Sequence, residues 1–194
     1  MKRALPLLAA AVLVGCGTSA APPLARTAPS VGPARRHRPP SLGSRAARAL
    51  PVRGLHCTRG DQGRFGAHLE LFAAGRVVLV APGIGLAPPR TRQGAYVSAG
   101  RCSYPVRTRE PTGVVEVEAG GGRAKTLGDL FAIWGQPLSR TRMAGFRGTV
   151  RAYVAGRRRR GDPRSIPLGR HTQIVLEVGS RVPPHAVYRF PPGL

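Results

Sequence analysis

The chain has 194 residues and is strongly basic, with 31 Lys and Arg residues against 8 Asp and Glu residues and a formal charge of +23 at pH 7. This length leaves room for one domain behind a leader, and excludes two domains of ordinary size. Only Lys2 and Lys125 are lysines, and Gly and Pro are abundant. A compositional bias toward arginine therefore accounts for the charge as well as a polyanionic partner does.

The first sixteen residues have the pattern of a secretory leader. Lys2 and Arg3 give a positive start, residues 4–14 are apolar except for one proline, and the run ends at Gly15-Cys16. The run is about half as long as a membrane-spanning helix. Its closing Leu-Val-Gly-Cys resembles a bacterial lipobox, whose cysteine receives a diacylglyceryl group. We predict a signal peptide over 1–15 and lipidation of Cys16, with simple secretion as the alternative.

A lipidated cysteine places the chain outside the cytoplasm, anchored to a membrane through acyl chains. Nucleic acid is not expected there. The polyanions that remain are anionic lipid headgroups and acidic wall polymers, and attraction to them would weaken with salt.

Residues 17–56 contain seven arginines, seven prolines and no acidic residue. Such a stretch buries too little apolar surface to offset its conformational entropy. We therefore expect residues 16–56 to be the lipidated cysteine and a disordered tether, followed by a single domain over residues 57–194.

Two cysteines remain in that domain, Cys57 and Cys102. An even pair in an oxidising compartment predicts a disulfide. The alternative is a thiolate metal site, which the absence of any CxxC pattern disfavours.

The domain begins with a predicted hairpin. Residues 67–72 alternate in polarity, residues 73–75 form a turn, and residues 76–80 are rich in β-branched side chains. An irregular stretch, 86–112, comes before a clear strand at 114–118.

One helix is expected after residues 123–125, which we interpret as a short returning strand. Thr126 and Asp129 approximate a capping box, and Gly135 can take the left-handed conformation that ends a helix. The apolar positions fall on one stripe at Leu127, Leu130, Phe131 and Trp134. Trp134 is therefore interpreted as a core residue.

The remaining strands are predicted at 149–154, at an edge over 166–168, and at 171–178, ahead of a proline-rich tail at 182–194. The fold class that follows is α+β, mostly antiparallel β with one short amphipathic helix packed on the sheet. The β-β-α-β-β order of the second half suits a β-grasp-like arrangement.

Catalytic motifs are absent from the sequence. The Gly120-Gly121-Gly122 stretch lacks the glycine that must precede the lysine of a phosphate-binding loop, and there is no GxSxG or HExxH pattern. We expect no enzyme and no cofactor. The sharpest charge run, at Arg157, Arg158, Arg159 and Arg160, is either a solvated hairpin tip or a contact for a polyanion.

Five short stretches carry a resemblance to known proteins: Ala67-His68-Leu69, Pro82-Gly83-Ile84-Gly85, Thr126-Leu127-Gly128-Asp129-Leu130-Phe131, Ile133-Trp134-Gly135-Gln136-Pro137-Leu138 and Gly161-Asp162-Pro163-Arg164. In them the chain resembles a group of uncharacterised, small secreted or lipid-anchored bacterial proteins. The resemblance implies that the relatives carry His-Thr-His-Asp at residues 107–110 and often His at residue 116. Joined by His68, those imidazoles would form a copper or zinc site.

This chain departs from that pattern, since Arg107 and Arg109 cannot bind a cation. A remnant metal site would use His68, Glu116 and His171. The alternative is an Arg-carboxylate cluster of Arg107, Arg109, Glu110 and Glu116. We expect a cell-envelope lipoprotein that binds or scaffolds at the membrane or wall surface. A degenerate metal-binding protein is the alternative, and an enzyme with an unrecognised site is a weaker one.

Overall fold

The structure is a computed structural model. It describes residues 36–60, 63–120, 122–183 and 187–194. The helices are α1 (Ser44–Ala47), α2 (Leu127–Trp134) and a 3-10 turn at Pro163–Ser165; the strands are β1 (Arg64–Ala73), β2 (Arg76–Val78), β3 (Arg90–Gln93), β4 (Tyr96–Gly100), β5 (Val106–Arg107), β6 (Val114–Glu118), β7 (Arg142–Met143), β8 (Phe146–Arg147), β9 (Val150–Val154), β10 (Arg157–Arg159) and β11 (Gln173–Val178). No helix in these ranges is long and apolar enough to cross a membrane.

The main sheet has seven strands. Its path is β10-β9-β11-β1-β6-β5, and β2 pairs with β1 beside that path. β1 and β11 are parallel, and the other pairs in this sheet are antiparallel. The long strand β1 is central, because β11 lies along one edge while β6 and β2 share the other. The predicted α+β class, mostly antiparallel with a short helix, is confirmed.

Five strands follow the order β2-β1-β11-β9-β10. The two at the centre, β1 and β11, are the first and last of the five in the sequence, and they are parallel. That is the order of a β-grasp sheet. We expected residues 114–118 and 123–125 to form the first hairpin of this arrangement, and that prediction is wrong. β1 and β2 take this place, β6 adds to the other end of β1, and residues 123–125 form no strand.

Helix α2 covers one face of the sheet, as its apolar stripe predicts. Leu127, Leu130, Phe131 and Trp134 are all buried in the main core. Asp129 accepts hydrogen bonds from the backbone N–H (2.9 Å) and the hydroxyl (3.1 Å) of Thr126. Gly135 ends the helix in the left-handed conformation, at φ 75°. Because both ends are fixed by local contacts, the helix could be read from the sequence.

Several elements differ from the sequence-based prediction. Arg157–Arg159 form the strand β10 instead of a hairpin tip, and a small β7-β8 hairpin was not anticipated. The stretch at 86–112 contains the β3-β4 hairpin. The expected edge strand at 166–168 is reduced to one bridge between Pro167 and Thr126.

The described part of the expected tether packs on the domain. Ala46, Val52 and Leu55 are buried, and the backbone N–H of Gly43 donates to the carbonyl of Trp134 at 2.8 Å. A Cβ on Gly43 would lie 2.8 Å from the Cα of Gly135, so the two chains touch through their backbones. The folded part therefore begins before residue 57. The rest of the expected tether and the leader lie outside the described residues.

The second face of the sheet is covered by the end of the chain. Tyr188 stacks on His68 with ring centres 3.7 Å apart, and Phe190 stacks on His171 at 4.6 Å. A Cβ on Gly66 would lie 2.7 Å from the Cδ1 atom of Phe190. Glycine at residue 66 thus makes room for that ring, and residues 187–194 are seated as part of the fold.

Candidate functional site

The most highly charged part of the interior lies on β5 and β6. Arg107 pairs with Glu116 across the two strands, and Glu118 lies two residues further along β6 on the same face. We call Arg64, Arg107, Arg109, Glu116 and Glu118 the arginine–glutamate network.

Glu116 is the centre of this network. Its side-chain oxygens accept hydrogen bonds from Nε of Arg107 at 2.8 Å and from Nε of Arg109 at 2.7 Å. Arg64 lies 3.6 Å from the same carboxylate, and Glu118 accepts from Nη1 of Arg107 at 3.1 Å. Among the described residues, three guanidinium groups thus meet two carboxylates.

The network differs from the predicted cluster in its carboxylates. Arg107, Arg109 and Glu116 are brought together, but Glu110 makes no ion pair within the described residues. Glu110 lies near Tyr188, where burial and then the Glu110 charge raise the pKa of the tyrosine hydroxyl. Glu118 was missed, although its spacing from Glu116 puts both on one face of a strand. Arg64 was missed because only the pairing of β1 with β6 reveals it.

A cavity of about 290 Å³ opens beside the network. We call it the disulfide pocket. Its walls are Thr58, Arg59, Gly60, Leu86, Ser98, Ala99, Gly100, Arg101, Cys102, Ser103, Arg107 and Arg109. Four arginines and no acidic residue line it within the described part of the chain. This composition favours an anion.

The predicted disulfide forms one wall of this pocket. Cys57 and Cys102 are bonded, with Cα atoms 5.5 Å apart. Backbone hydrogen bonds between Thr58 and Ser103, both at 2.9 Å, hold the two segments side by side next to the bond. The disulfide therefore fixes Arg59 and Arg101 at the rim, although they are distant in the sequence.

The residues expected in a remnant metal site have other partners. Nε2 of His68 lies 3.0 Å from the carbonyl of Thr112, and Nε2 of His171 lies 2.7 Å from the carbonyl of Leu194. Glu116 belongs to the arginine–glutamate network. In the ranges that the structure describes, no three His, Cys, Asp or Glu side chains are placed to hold a metal.

The run from Arg157 to Arg160 is exposed and lies at the edge of the sheet opposite to β5. Five strand spacings separate β10 from β5, a distance of about 24 Å. None of the four arginines has a salt bridge within the described residues. The turn between β9 and β10 contains Ala155 (φ 48°) and Gly156 (φ 74°), a pair of positive φ values typical of a tight hairpin.

A second, smaller charged site lies at the start of α2. Asp129 is buried and accepts hydrogen bonds from Arg53 (2.9 Å) and Arg123 (2.7 and 2.8 Å). Burial alone would raise its pKa, but the bonds from Arg123, the Thr126 backbone and Arg53 hold the pKa at about 2. This site joins the helix cap to the segment before β1 and has a structural role.

Cys16, the predicted lipidation site, lies outside the described residues. Comparison of the chain with models of protein families, with curated proteins and with solved structures finds no significant match.

Proposed function

We propose that this protein is a lipid-anchored bacterial envelope protein whose domain binds anionic groups at the membrane or wall surface without catalysing a reaction. Export and lipidation at Cys16 supply the location, and arginine supplies the binding chemistry. The observation that carries the proposal is the group of exposed arginines that have no salt bridge within the described residues.

The balance of charge supports this proposal. The carboxylates of Glu116, Glu118, Asp129, Asp162 and Glu177 each lie in a salt bridge with at least one arginine. The exposed arginines of β10 have no such partner within the described residues. Apart from Glu110, the charge that folding leaves without an ion pair among the described residues is therefore positive and exposed, which is where an anionic surface can reach it.

Two arginine-rich regions, the β10 edge and the disulfide pocket, lie at opposite edges of one sheet. Contacts about 24 Å apart suit an extended anionic surface or polymer better than one small molecule. A membrane anchor close to the domain raises the local concentration of such a surface.

The experiment is a retention assay on vesicles of phosphatidylglycerol and phosphatidylcholine and on isolated wall material, with the mature chain carrying Cys16→Ser. This variant has no acyl chains, which would otherwise insert into neutral and anionic vesicles alike. We expect retention that falls as salt rises, and weaker retention when Arg157–Arg160 are changed to glutamine. Changing Arg92, an exposed arginine on β3, is the matched control for general charge. Equal retention on neutral and anionic vesicles, or no effect of the β10 variant, would overturn the proposal.

Metal analysis of the same preparation addresses the alternative function. Stoichiometric copper or zinc that is lost in His68→Ala would favour metal handling over anion binding.

A further inference from the structure

We propose that the disulfide pocket is a binding site for a single phosphate group. This inference rests on the proposed function and deepens it, because it names the chemical group that the domain recognises and the residues that hold it.

The described residues that line the pocket include four arginines and no acidic residue. Arg59 and Arg101 are exposed at the rim, and neither has a salt bridge within the described residues. Arg109 lies deeper and is about 14 % exposed. Glu116 and Glu118, which hold the arginines of the network, do not line the cavity. An anion that enters therefore meets guanidinium groups and, among the described lining residues, no carboxylate.

Arg109 is held in one orientation from three sides. Its Nε donates to Glu116, its Nη1 donates to the carbonyls of Val97 (3.3 Å) and Ser98, and Tyr96 lies against it with 6.0 Å between the ring centre and the guanidinium carbon. Nη2 has no hydrogen-bond partner among the described residues. Since the rest of the guanidinium is fixed, this donor is preorganised for a ligand.

A hydroxyl group adds a neutral donor. Ser103 lines the pocket, and its Oγ accepts a hydrogen bond from Nη1 of Arg107 at 3.0 Å. The hydroxyl hydrogen therefore points away from that guanidinium and remains available to an anion oxygen. The cavity thus offers Arg59, Arg101, Arg109 and Ser103 as donors from separate chain segments.

Phosphate suits this set better than a carboxylate. A carboxylate is planar and is satisfied by one or two arginine forks, whereas the oxygens of a phosphate are tetrahedral and take donors from several directions. A cavity of about 290 Å³ is at the small end of ligand sites. It fits one phosphate group with a small substituent, such as the headgroup of an anionic lipid or one unit of a phosphodiester polymer.

The test is calorimetric titration of the full mature protein with inorganic phosphate, with acetate as the comparison anion. We expect phosphate binding that acetate does not reproduce, and an increase in Kd of about tenfold or more in Arg101→Gln, since a hydrogen bond to a charged group is lost. Arg109→Lys, which keeps the charge but loses the fork, should also weaken binding. Arg92→Gln, outside the pocket, should bind as the unchanged protein does. Equal binding of acetate, or an unchanged Kd in Arg101→Gln and Arg59→Gln, would overturn the inference.

Vesicles separate the two sources of phosphate. If Arg101→Gln, placed in the Cys16→Ser chain, also loses retention on phosphatidylglycerol vesicles, the group recognised is a lipid headgroup. If the variant loses binding of inorganic phosphate but keeps vesicle retention, the ligand is a soluble or polymeric phosphate. Phosphate binding without any vesicle or wall retention would refute the proposed function and leave the pocket standing. If retention depends on Arg157–Arg160 alone and Arg101→Gln leaves the Kd for phosphate unchanged, the pocket is refuted and the proposed function stands.

Discussion

Glu116→Gln should destabilise the domain strongly, because Glu116 is the shared partner of two inward-facing arginines. The side chains of Glu116 and Arg107 are 8 % and 2 % exposed, so their ion pair is screened little by water. Removing one partner of a buried pair costs about 3–5 kcal/mol, chiefly because the remaining charge stays buried. Glu118 still holds Nη1 of Arg107, and the amide oxygen can accept one bond. We therefore expect a loss of about 3 kcal/mol, the lower end of this range.

The assay is urea unfolding followed by the fluorescence of Trp134, the sole tryptophan, which is fully buried. For a domain of this size, a loss of about 3 kcal/mol corresponds to a fall in Tm of about 6–12 °C. Glu110→Gln is the matched control, because Glu110 is close in sequence but outside the network, and it should change stability by less than about 0.5 kcal/mol. Similar, small losses in both variants would refute the account of the network.

Three further predictions concern other contacts. Replacing Cys57 and Cys102 by serine should lower the free energy of unfolding by about 4 kcal/mol, as the chain-entropy relation gives for a separation of 45 residues, and reductant should have no further effect on this variant in a urea titration. Asp129, whose pKa of about 2 lies below its ordinary value, should contribute stability that is complete above about pH 4 and lost as the pH falls toward 2. Asp129→Asn should lose this acid dependence when unfolding is followed by fluorescence. An acid profile that is unchanged in the variant would contradict this role of Asp129. Gly66→Ala should displace the ring of Phe190 and speed hydrogen exchange in residues 187–194, whereas the same change in a Phe190→Ala background should have no such effect.

The parts of the fold that could be read from the sequence have local causes. Helix α2 has its cap at Thr126 and its stop at Gly135, each within a few residues of the helix, and the β1-β2 turn is equally local. The parallel pairing of β1 with β11 joins residues about one hundred positions apart, so alternation within each strand could not reveal it. The first hairpin of the β-grasp order was placed wrongly for this reason.

The segment before β1 shows a second limit on what can be predicted from composition. Residues 36–56 are rich in proline and arginine, which predicts a tether. They are held by three buried apolar side chains and by backbone contacts, such as the bond from Gly43 to Trp134, which no composition reports. Similarly, the pairing of Arg109 with Glu116 was expected from charge, whereas the pocket beside it depends on the disulfide bringing Arg59 to Arg101.

The account depends most on the protein being exported and lipidated, since only then do its arginines face anionic lipid or wall polymer. Intact mass spectrometry of the protein recovered from cell membranes tests this directly. We expect a mature chain that starts at Cys16, carries a diacylglyceryl mass, and has Cys57 and Cys102 oxidised. A chain that keeps Met1, found in the cell interior with both later cysteines reduced, would contradict the account.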